Sequence, residues 1–392
     1  MFHLFKCIIL TVIKSIPKLR FQTFKDEWVT KKLDSIATFS KGKNISKADI
    51  SEDGMFECIR YGQLYTDYGE VIKKVLSRTS LKKSKLIFSE KNDIIIPASG
   101  ETQFDIAKAS CVLKEGVALG GDLNIIKTKM DGVFLSYYLN YTKRIDIAKM
   151  AQGNSVVHLY AIQLKSLQIN LPSLSEQQKI AAFLTAVDDK IQQIIRKKKL
   201  LEQYKKGCMQ QVFSQVIQFK NGSKAYPSWN KKIISDFAPL QRGFDLPVDK
   251  IKTGEYPVVF SNGILKNHNE FKVWAPGVVT GRSGTIGKVT YVEQNYWPHN
   301  TSLWVTDFKN NYPKYVYYFF LNLGLERFAS GSGVPTLNRN DVHSQSALFP
   351  SLEEQQKIAN FLSTIDTKIN LVETQLKKTQ EFKKGLLQQM FI

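Results

Sequence analysis

Two stretches of the chain carry the same spacing of apolar positions. In each stretch the steps between apolar residues are four and three, which is the 3.5-residue period of a coiled coil. The positions are Ile180, Leu184, Val187, Ile191, Ile194 and Leu201 in the first stretch, and Ile358, Leu362, Ile365, Ile369, Val372 and Leu376 in the second. Lys198 and Thr379 interrupt the two patterns, so we expect looser packing there.

The two stretches are copies of one sequence. Residues 171–213 align without a gap onto residues 349–391, at an offset of 178 and with 21 identities in 43 positions. A proline stands at the head of each copy, and Ser175 and Ser351 are the predicted N-caps. A single long amphipathic helix is often an ordinary core element, but two matched copies favour two helices that pair with each other, antiparallel across a pseudo-twofold axis.

The blocks that precede the two helices match only weakly and mix strand and helix patterns. Residues 93–96 and 277–280 have the apolar runs of buried strands, and residues 134–139 and 315–321 those of buried helices. Trp28 and Trp229 precede a glycine, Gly42 and Gly243 respectively, by the same spacing. The predicted fold class is therefore mixed α/β, with two globular domains alternating with two long helices.

We expect five segments along the chain. They are residues 1–15 outside the fold, a first domain over 16–170, a first helix over 171–215, a second domain over 216–348 and a second helix over 349–392. The apolar run at residues 7–13 is far shorter than the roughly 20 residues of a membrane span, and no cleavage pattern of a signal peptide follows it. A leader or an upstream start codon is the favoured interpretation of residues 1–15.

Charge points to a polyanionic partner. The chain has a formal net charge of +20, of which the first block (residues 1–170) carries +9 and the second block (residues 216–348) +6. Basic surfaces gain affinity for nucleic acid because phosphate contacts release counterions. The four cysteines are scattered, without the spacing of a zinc site or a disulfide framework, and free thiols fit the cytoplasm.

The repeated Pro-x-Leu-x-Glu-Gln-x-Lys-Ile motif, twice per chain after divergent blocks, resembles the specificity subunit of type I restriction-modification enzymes. The stretches Gly281–Val289 and Gly331–Leu337 are similar to segments of its recognition domains. The resemblance implies that each block recognises one half of a bipartite site in double-stranded DNA. It also implies that the helices set the spacing and dock two methyltransferase subunits, to which restriction subunits are added.

Candidate DNA-binding residues are polar or basic residues near predicted turns, because arginine suits guanine edges and glutamine suits adenine. They are Lys41, Lys43, Arg60, Gln63, Ser99 and Gln103 in the first block, and Gln241, Arg242, Asn262, Arg282, Ser283, Thr285, Lys288, Asn300 and Arg339 in the second. Each is as much a candidate for a turn or a phosphate contact as for a base contact. The candidate partner-docking residues, placed on exposed helix faces, are Gln177, Gln178, Gln355 and Gln356.

The sequence favours a recognition protein over an enzyme. It contains no Asn/Asp-Pro-Pro-Tyr/Phe motif of adenine methyltransferases, and its five histidines are too scattered for a metal site or a catalytic triad. Gly281–Val289 resembles a P-loop, but its glycine spacing is one residue too long and Val289 replaces the hydroxyl residue. No cofactor, metal or membrane association is expected. The alternatives are a self-contained DNA methyltransferase or nuclease, and a coiled-coil scaffold that binds DNA without sequence preference.

Overall fold

The computed structural model describes residues 16–153, 155–331 and 333–391. The predicted leader, residues 1–15, lies outside the described residues. The α-helices are α1 (Gln63–Thr66), α2 (Gln103–Ile106), α3 (Gly132–Tyr141), α4 (Arg144–Met150), α5 (Ala161–Lys165), α6 (Leu174–Phe213), α7 (Ile234–Phe237), α8 (Pro313–Leu323), α9 (Arg339–His343) and α10 (Leu352–Met390). Short 3-10 helices cover Leu33–Ser35, Lys47–Asp49, Lys83–Lys85, Val248–Lys250 and Leu325–Phe328.

The two repeated segments form the long helices α6 and α10, of 40 and 39 residues. Each helix begins at an equivalent serine: the hydroxyl of Ser173 accepts from the backbone N–H of Glu176, and that of Ser351 from Glu354, both at 3.4 Å. The predicted cap Ser351 is therefore confirmed, whereas Ser175 is wrong. The first helix begins at Leu174, so Ser173 stands at the cap position and Ser175 lies within the helix; the repeat also aligns Ser173 with Ser351.

The chain divides into two compact units, and both long helices contribute to each. The first unit contains the described residues up to Gln193 together with those from Leu376 onward, and the second contains Ile194–Gln375. The strands of the first unit are β1 (Val29–Lys32), β2 (Ala37–Lys41), β3 (Phe56–Ile59), β4 (Val71–Ile72), β5 (Ser77–Thr79), β6 (Asp93–Pro97), β7 (Ser99–Gly100), β8 (Ser110–Val112), β9 (Ala118–Leu119), β10 (Leu123–Thr128), β11 (Val157–His158) and β12 (Gln168–Leu171).

The described residues of the second unit form thirteen strands. They are β13 (Lys220–Asn221), β14 (Lys224–Ala225), β15 (Asn230–Ile233), β16 (Leu240–Arg242), β17 (Tyr256–Phe260), β18 (Gly263–His268), β19 (Gly277–Gly281), β20 (Val289–Val292), β21 (Trp297–Pro298), β22 (Ser302–Val305), β23 (Ala329–Ser330), β24 (Thr336–Leu337) and β25 (Ser346–Phe349).

The two units share the order of four strands in the main sheet, to which the first unit adds β4 as a fifth. The main sheet has the order β2-β10-β6-β8-β4 in the first unit and β16-β22-β19-β20 in the second. A three-stranded sheet follows as β5-β3-β9 and β18-β17-β21, and each contains one parallel pair. A further pair joins the start of each domain to the strand before the long helix, as β1-β12 and β15-β25. The duplication therefore includes the blocks whose sequences have diverged.

The core of each unit lies between the main sheet, one domain helix and both long helices. In the first unit Phe391 packs against Phe134 and Tyr138 of α3, with ring centroids 5.6 and 5.8 Å apart. In the second unit the equivalent Phe213 packs against Tyr315 of α8 at 5.7 Å. The apolar positions that define the 3.5-residue period are largely buried in these two cores.

The two long helices run antiparallel. In the second unit Lys198 of α6 contacts Glu373 of α10 at 3.2 Å, and Lys205 contacts Asp366 at 2.6 Å. As the residue number rises along α6 it falls along α10, so the predicted antiparallel pairing is confirmed.

Candidate nucleic-acid interface

Loops of the second unit gather at one edge of its main sheet. Strands β16 and β19 end at Arg242 and Gly281, and both pair with the beginning of β22, in the registers Arg242↔Leu303 and Gly281↔Ser302. The loops that follow β16 and β19 and the loop that precedes β22 therefore share this edge. We call residues 242–247, 282–288 and 299–301 the second-unit loop cluster.

Asp245 joins two of the predicted DNA-binding residues in this cluster. A guanidinium nitrogen of Arg242 lies 2.7 Å from Oδ1 of Asp245, and the side-chain amide of Asn300 donates to the same oxygen. The carboxylate fixes the direction of the half-exposed guanidinium. An oriented arginine beside an amide is suited to the hydrogen-bonding edges of bases. Sequence reasoning missed Asp245, because no motif surrounds it.

The Gly281–Val289 segment is the turn that joins β19 to β20. β19 and β20 pair antiparallel, and the backbone N–H groups of Arg282 and Ser283 donate to the carbonyl of Thr301 at 2.9 and 3.1 Å. Gly281 serves a packing purpose, because a Cβ there would lie 1.7 Å from the carbonyl oxygen of Thr285. Lys288 donates to the backbone carbonyl of Asn262 and so links this turn to the β17–β18 turn.

The first unit presents equivalent loops at the same edge of its sheet. β2 ends at Lys41 opposite Asn124, near the start of β10, and β6 ends at Pro97 opposite Leu123. The long β6–β8 connection, residues 98–109, takes the place of the β19–β20 turn and contains α2. The segment Ser99–Lys108 is thus the structural counterpart of Gly281–Val289, although their sequences do not match.

Exposure differs among the predicted DNA-binding residues. Nine of them are exposed: Lys41, Lys43, Gln103, Gln241, Arg242, Asn262, Thr285, Lys288 and Arg339. Four are half-buried: Arg60, Arg282, Ser283 and Asn300. Two are buried: Gln63 and Ser99. The exposed and half-buried residues remain predictions as DNA contacts.

Gln63 is corrected by the structure, because its side-chain amide bonds within the fold, and Ser99 is largely buried. The Gln63 side chain accepts from the backbone N–H of Arg60 at 3.0 Å and donates to the hydroxyl of Ser77 at 2.8 Å. Ser99 is buried in β7, where its carbonyl accepts from the hydroxyl of Tyr65 at 2.8 Å. The Gln63 side chain is therefore occupied within the fold, and we do not retain it as a DNA contact. Ser99 remains a prediction, at a largely buried position.

Gln177 and Gln355 correct the expectation that all four candidate glutamines lie on exposed helix faces. Both are buried, with 1% and 2% of their surface accessible. The side-chain oxygen of Gln177 accepts from the backbone N–H of Asp131 at 3.0 Å, and that of Gln355 from Tyr312 at 2.9 Å. Each glutamine thus fastens the residue that caps α3 or α8 to the start of a long helix. Gln178 and Gln356 are exposed, and their role in docking remains a prediction.

Buried carboxylates at the heads of the long helices were not anticipated from the sequence. Glu176 is bridged by both Nε and Nη2 of Arg20, each at 2.7 Å. The equivalent Glu354 accepts from the indole N–H of Trp229 at 3.0 Å, and burial raises its pKa. Nothing in the local sequence around Arg20 signals a partner so distant along the chain.

Cysteine and histidine side chains do not assemble a metal site in the described part of the chain. Within residues 16–153, 155–331 and 333–391, no group of histidine, cysteine and acidic residues is arranged to hold a metal ion. The thiols of Cys58 and Cys111 are buried, which raises their pKa values to about 11 and about 12.

Among the helices of the described residues, none combines the length and the apolarity needed to cross a membrane.

Comparison with known sequences identifies the family. The profile of the type I restriction modification DNA specificity domain matches the chain twice, over residues 25–203 and 227–381. The chain belongs to this family. Its members supply DNA specificity to a larger enzyme, so the chain is a recognition subunit and not itself an enzyme.

Relatives of this specificity-subunit family resemble the chain over most of its length. Two proteins of Methanocaldococcus jannaschii bear the names of type I restriction enzyme specificity subunits. MjaX is 25% identical over 67% of this chain and 67% of its own length. MjaIX is 22% identical over 96% of this chain and 94% of its own.

Solved structures show the same fold. The S subunit of a type I restriction-modification system from M. genitalium superposes with a TM-score of 0.67 at 17% identity, over 96% of this chain and 99% of the other. A chain from a structure of type I complex assembly and conformational transition superposes with a TM-score of 0.56 at 15% identity, over 93% and 96%.

Proposed function

We propose that this specificity subunit recognises a bipartite DNA sequence, with one half-site read by each unit. The observation that carries the proposal is that both units present loops of different sequence at the same edge of a sheet whose first four strands have the same order. A common frame with different loops is what two readers of different half-sites require. The formal net charge of +20 supports contact with the phosphate backbone.

The long helices supply a framework on which enzyme subunits assemble. We propose that two methyltransferase subunits dock on them, with Gln178 and Gln356 among the contacts, and that restriction subunits join this complex. The exposure of the two glutamines supports the assignment. The expected compartment is the cytoplasm, where DNA is accessible and buried free thiols such as Cys58 and Cys111 stay reduced.

We also propose the limits of the recognition domains and of the helical segments. Residues 16–170 and 216–348 are the proposed recognition domains, and 171–215 and 349–392 the helical segments. Within the domains the exposed arginine and glutamine side chains are proposed as base contacts and the exposed lysines as phosphate contacts.

The test is to sequence N6-methyladenine in cells that express the chain with its methyltransferase subunits. We expect one split motif, and exchange of residues 216–348 for those of a relative should change one half of it only. A continuous motif would contradict the assignment of half-sites to units. Methylation or cleavage by the purified chain alone would favour the enzyme alternative, and binding without sequence preference would favour the scaffold.

A further inference from the structure

The two buried carboxylates at the heads of α6 and α10 are equivalent but have different partners. Glu176 and Glu354 are separated by the repeat offset of 178, and only 1% and 4% of their surface is accessible. A carboxylate removed from water is costly unless it is paired or protonated. Each unit therefore has a buried carboxylate whose charge must be compensated, at the same position of the repeat.

In the first unit the buried carboxylate is paired with a cation of the chain itself. Both side-chain oxygens of Glu176 are bound by the guanidinium of Arg20 in a bidentate pair. The hydrogen bond from Arg20 to Glu176 raises the pKa of Arg20, so the cation is held in its charged form. Bidentate pairing of this kind is stronger and more directional than a single contact.

The second unit has a neutral residue where the first has Arg20. Phe21 packs edge-on against Phe183 at 5.8 Å, and Phe219 packs in the same way against Phe361, the repeat equivalent of Phe183, at 5.7 Å. The residue before each phenylalanine is Arg20 in one unit and Gln218 in the other. Among the residues that the structure describes, no lysine or arginine forms an ion pair with Glu354.

Glu354 instead lines an open cavity of about 180 Å³. Gln218, Tyr226 and Trp229 are among the other residues around it. A water molecule takes about 30 Å³ of the liquid, so the cavity has room for a group of several heavy atoms. Its wall combines a buried carboxylate with two aromatic rings, and guanidinium groups bind to carboxylates and stack on such rings.

We propose that this cavity binds the guanidinium group of an arginine side chain presented by another protein. The incoming arginine would supply to Glu354 the cation that Arg20 supplies to Glu176. A single ion pair gives modest affinity, so the group acts as one anchor within a larger protein interface. The proposal concerns protein contact at the second unit and is independent of the DNA-binding assignment.

Trp229 provides a direct reporter, because its indole N–H is bonded to Glu354. The experiment follows the indole signals of the full chain, labelled with ¹⁵N-tryptophan, at neutral pH, with Trp229→Phe identifying the signal. N-acetyl-argininamide is the probe, and N-acetyl-citrullinamide is its neutral isostere. We expect a saturable shift of the Trp229 signal with the arginine probe and at least tenfold weaker binding of the citrulline probe.

Two variants and one further ligand make the test decisive. Glu354→Gln removes the charge but keeps an acceptor for the indole, and Gln218→Arg places a guanidinium of the chain itself in the cavity; both should weaken probe binding at least tenfold. Equal binding of citrulline, unchanged binding by either folded variant, or no shift of Trp229 would overturn the proposal. Tighter binding of free arginine than of the blocked derivative would overturn the assignment to a protein side chain.

Discussion

The carboxylate of Asp188 on α6 lies 2.7 Å from the ammonium of Lys383 on α10. The hydroxyl of Tyr137 on α3 donates to the other oxygen of Asp188 at 2.5 Å, and the ammonium of Lys383 lies 5.4 Å from the centroid of the Tyr137 ring. One carboxylate therefore links the domain helix to both long helices. Burial, followed by the neighbouring Asp188, raises the pKa of Tyr137, which keeps its hydroxyl a donor.

The same arrangement recurs in the second unit. Asp366 lies 2.6 Å from Lys205 and accepts from the hydroxyl of Tyr318 at 2.6 Å. The two aspartates and the two lysines are repeat equivalents at the offset of 178, with the roles of the two helices exchanged. Each unit is thus fastened by one tyrosine–aspartate–lysine triad.

The first prediction is that Asp188→Asn destabilises the chain by about 1–2 kcal/mol, because a partly buried ion pair and a charge-assisted hydrogen bond are weakened together. Asp189→Asn is the matched control. Asp189 pairs with Lys73 at 2.7 Å, but both side chains are about half exposed, so we expect a loss under about 1 kcal/mol. Denaturant unfolding measures both. Equal losses for the two neighbouring aspartates would contradict a structural role for the triad.

The sequence predicted the frame of the fold because the long helices have kept their repeat. The same offset of 178 continues upstream, where Ala151, Gly153, Val156 and Leu159 correspond to Ala329, Gly331, Val334 and Leu337. Together with Ser166 and Ser344 these are five scattered identities between residues 151 and 170, too few to notice without the fold. Tyr137 and Tyr318 do not lie at this offset at all, since insertions in the blocks have shifted them. The triads were therefore visible only in three dimensions.

The site was predicted less well than the frame. Gln177 precedes Ile180 by three positions and Leu184 by seven, on the apolar stripe of α6, so helical periodicity alone indicated its burial. Gln178 is one position further around the helix and is exposed. Gln63 offered no such signal, because its burial depends on the path of residues 60–77. Arg20 and Glu176 show the same limit, since a contact between such distant parts of the chain leaves no mark on either segment.

The second prediction concerns the Arg20–Glu176 pair. Arg20→Gln should destabilise the chain by about 3 kcal/mol, because it leaves an uncompensated buried carboxylate. The double variant Arg20→Gln with Glu176→Gln should recover much of the loss, since no buried charge remains. Thermal or denaturant unfolding of the three proteins checks this. A double variant less stable than the single one would show that the pair acts through packing and not through charge.

The third prediction is the pH dependence of Glu354. Burial raises its pKa in the folded chain above the ordinary value of 4.5, so the folded state holds this proton more tightly than the unfolded state. The resulting stabilisation is present at low pH and is lost as the pH rises from 4.5 through the raised pKa. The stability of Glu354→Gln relative to the unsubstituted chain should therefore increase with pH over this interval.

Gln218→Arg provides the complementary measurement for the third prediction. A guanidinium beside Glu354 favours the charged carboxylate, so this variant should gain stability relative to the unsubstituted chain as the pH rises. Unfolding free energies at a series of pH values compare the three proteins. A pH profile of Glu354→Gln parallel to that of the unsubstituted chain would contradict the raised pKa.

The fourth prediction separates two glutamines that the sequence placed in one class. Gln103 is exposed at the start of α2 in the first-unit β6–β8 connection, whereas Gln63 is buried and bonded to Arg60 and Ser77. Gln103→Ala should weaken binding to the cognate site at unchanged stability. Gln63→Ala should cost about 1–3 kcal/mol of stability, because it leaves buried polar groups unpaired. Affinity for cognate DNA and the free energy of unfolding are measured on both variants. A loss of stability in Gln103→Ala, or weaker DNA binding by a stable Gln63→Ala, would contradict the distinction.

The last prediction tests whether Asp245 orients Arg242 and Asn300 for base recognition. Asp245→Asn removes the anion that fixes the guanidinium, so the half-motif read by the second unit should lose discrimination by about 1–3 kcal/mol per affected base pair. Binding to unrelated DNA should strengthen, because the substitution removes a negative charge from a basic surface.

Asp249→Asn is the matched control. Asp249 is an exposed residue of the same connection, so its substitution changes the charge alone. Affinities for oligonucleotides substituted in one half-site at a time, compared at one salt concentration, distinguish the two. Equal behaviour of the two variants would assign Asp245 a purely electrostatic effect and remove Arg242 from the proposed base contacts.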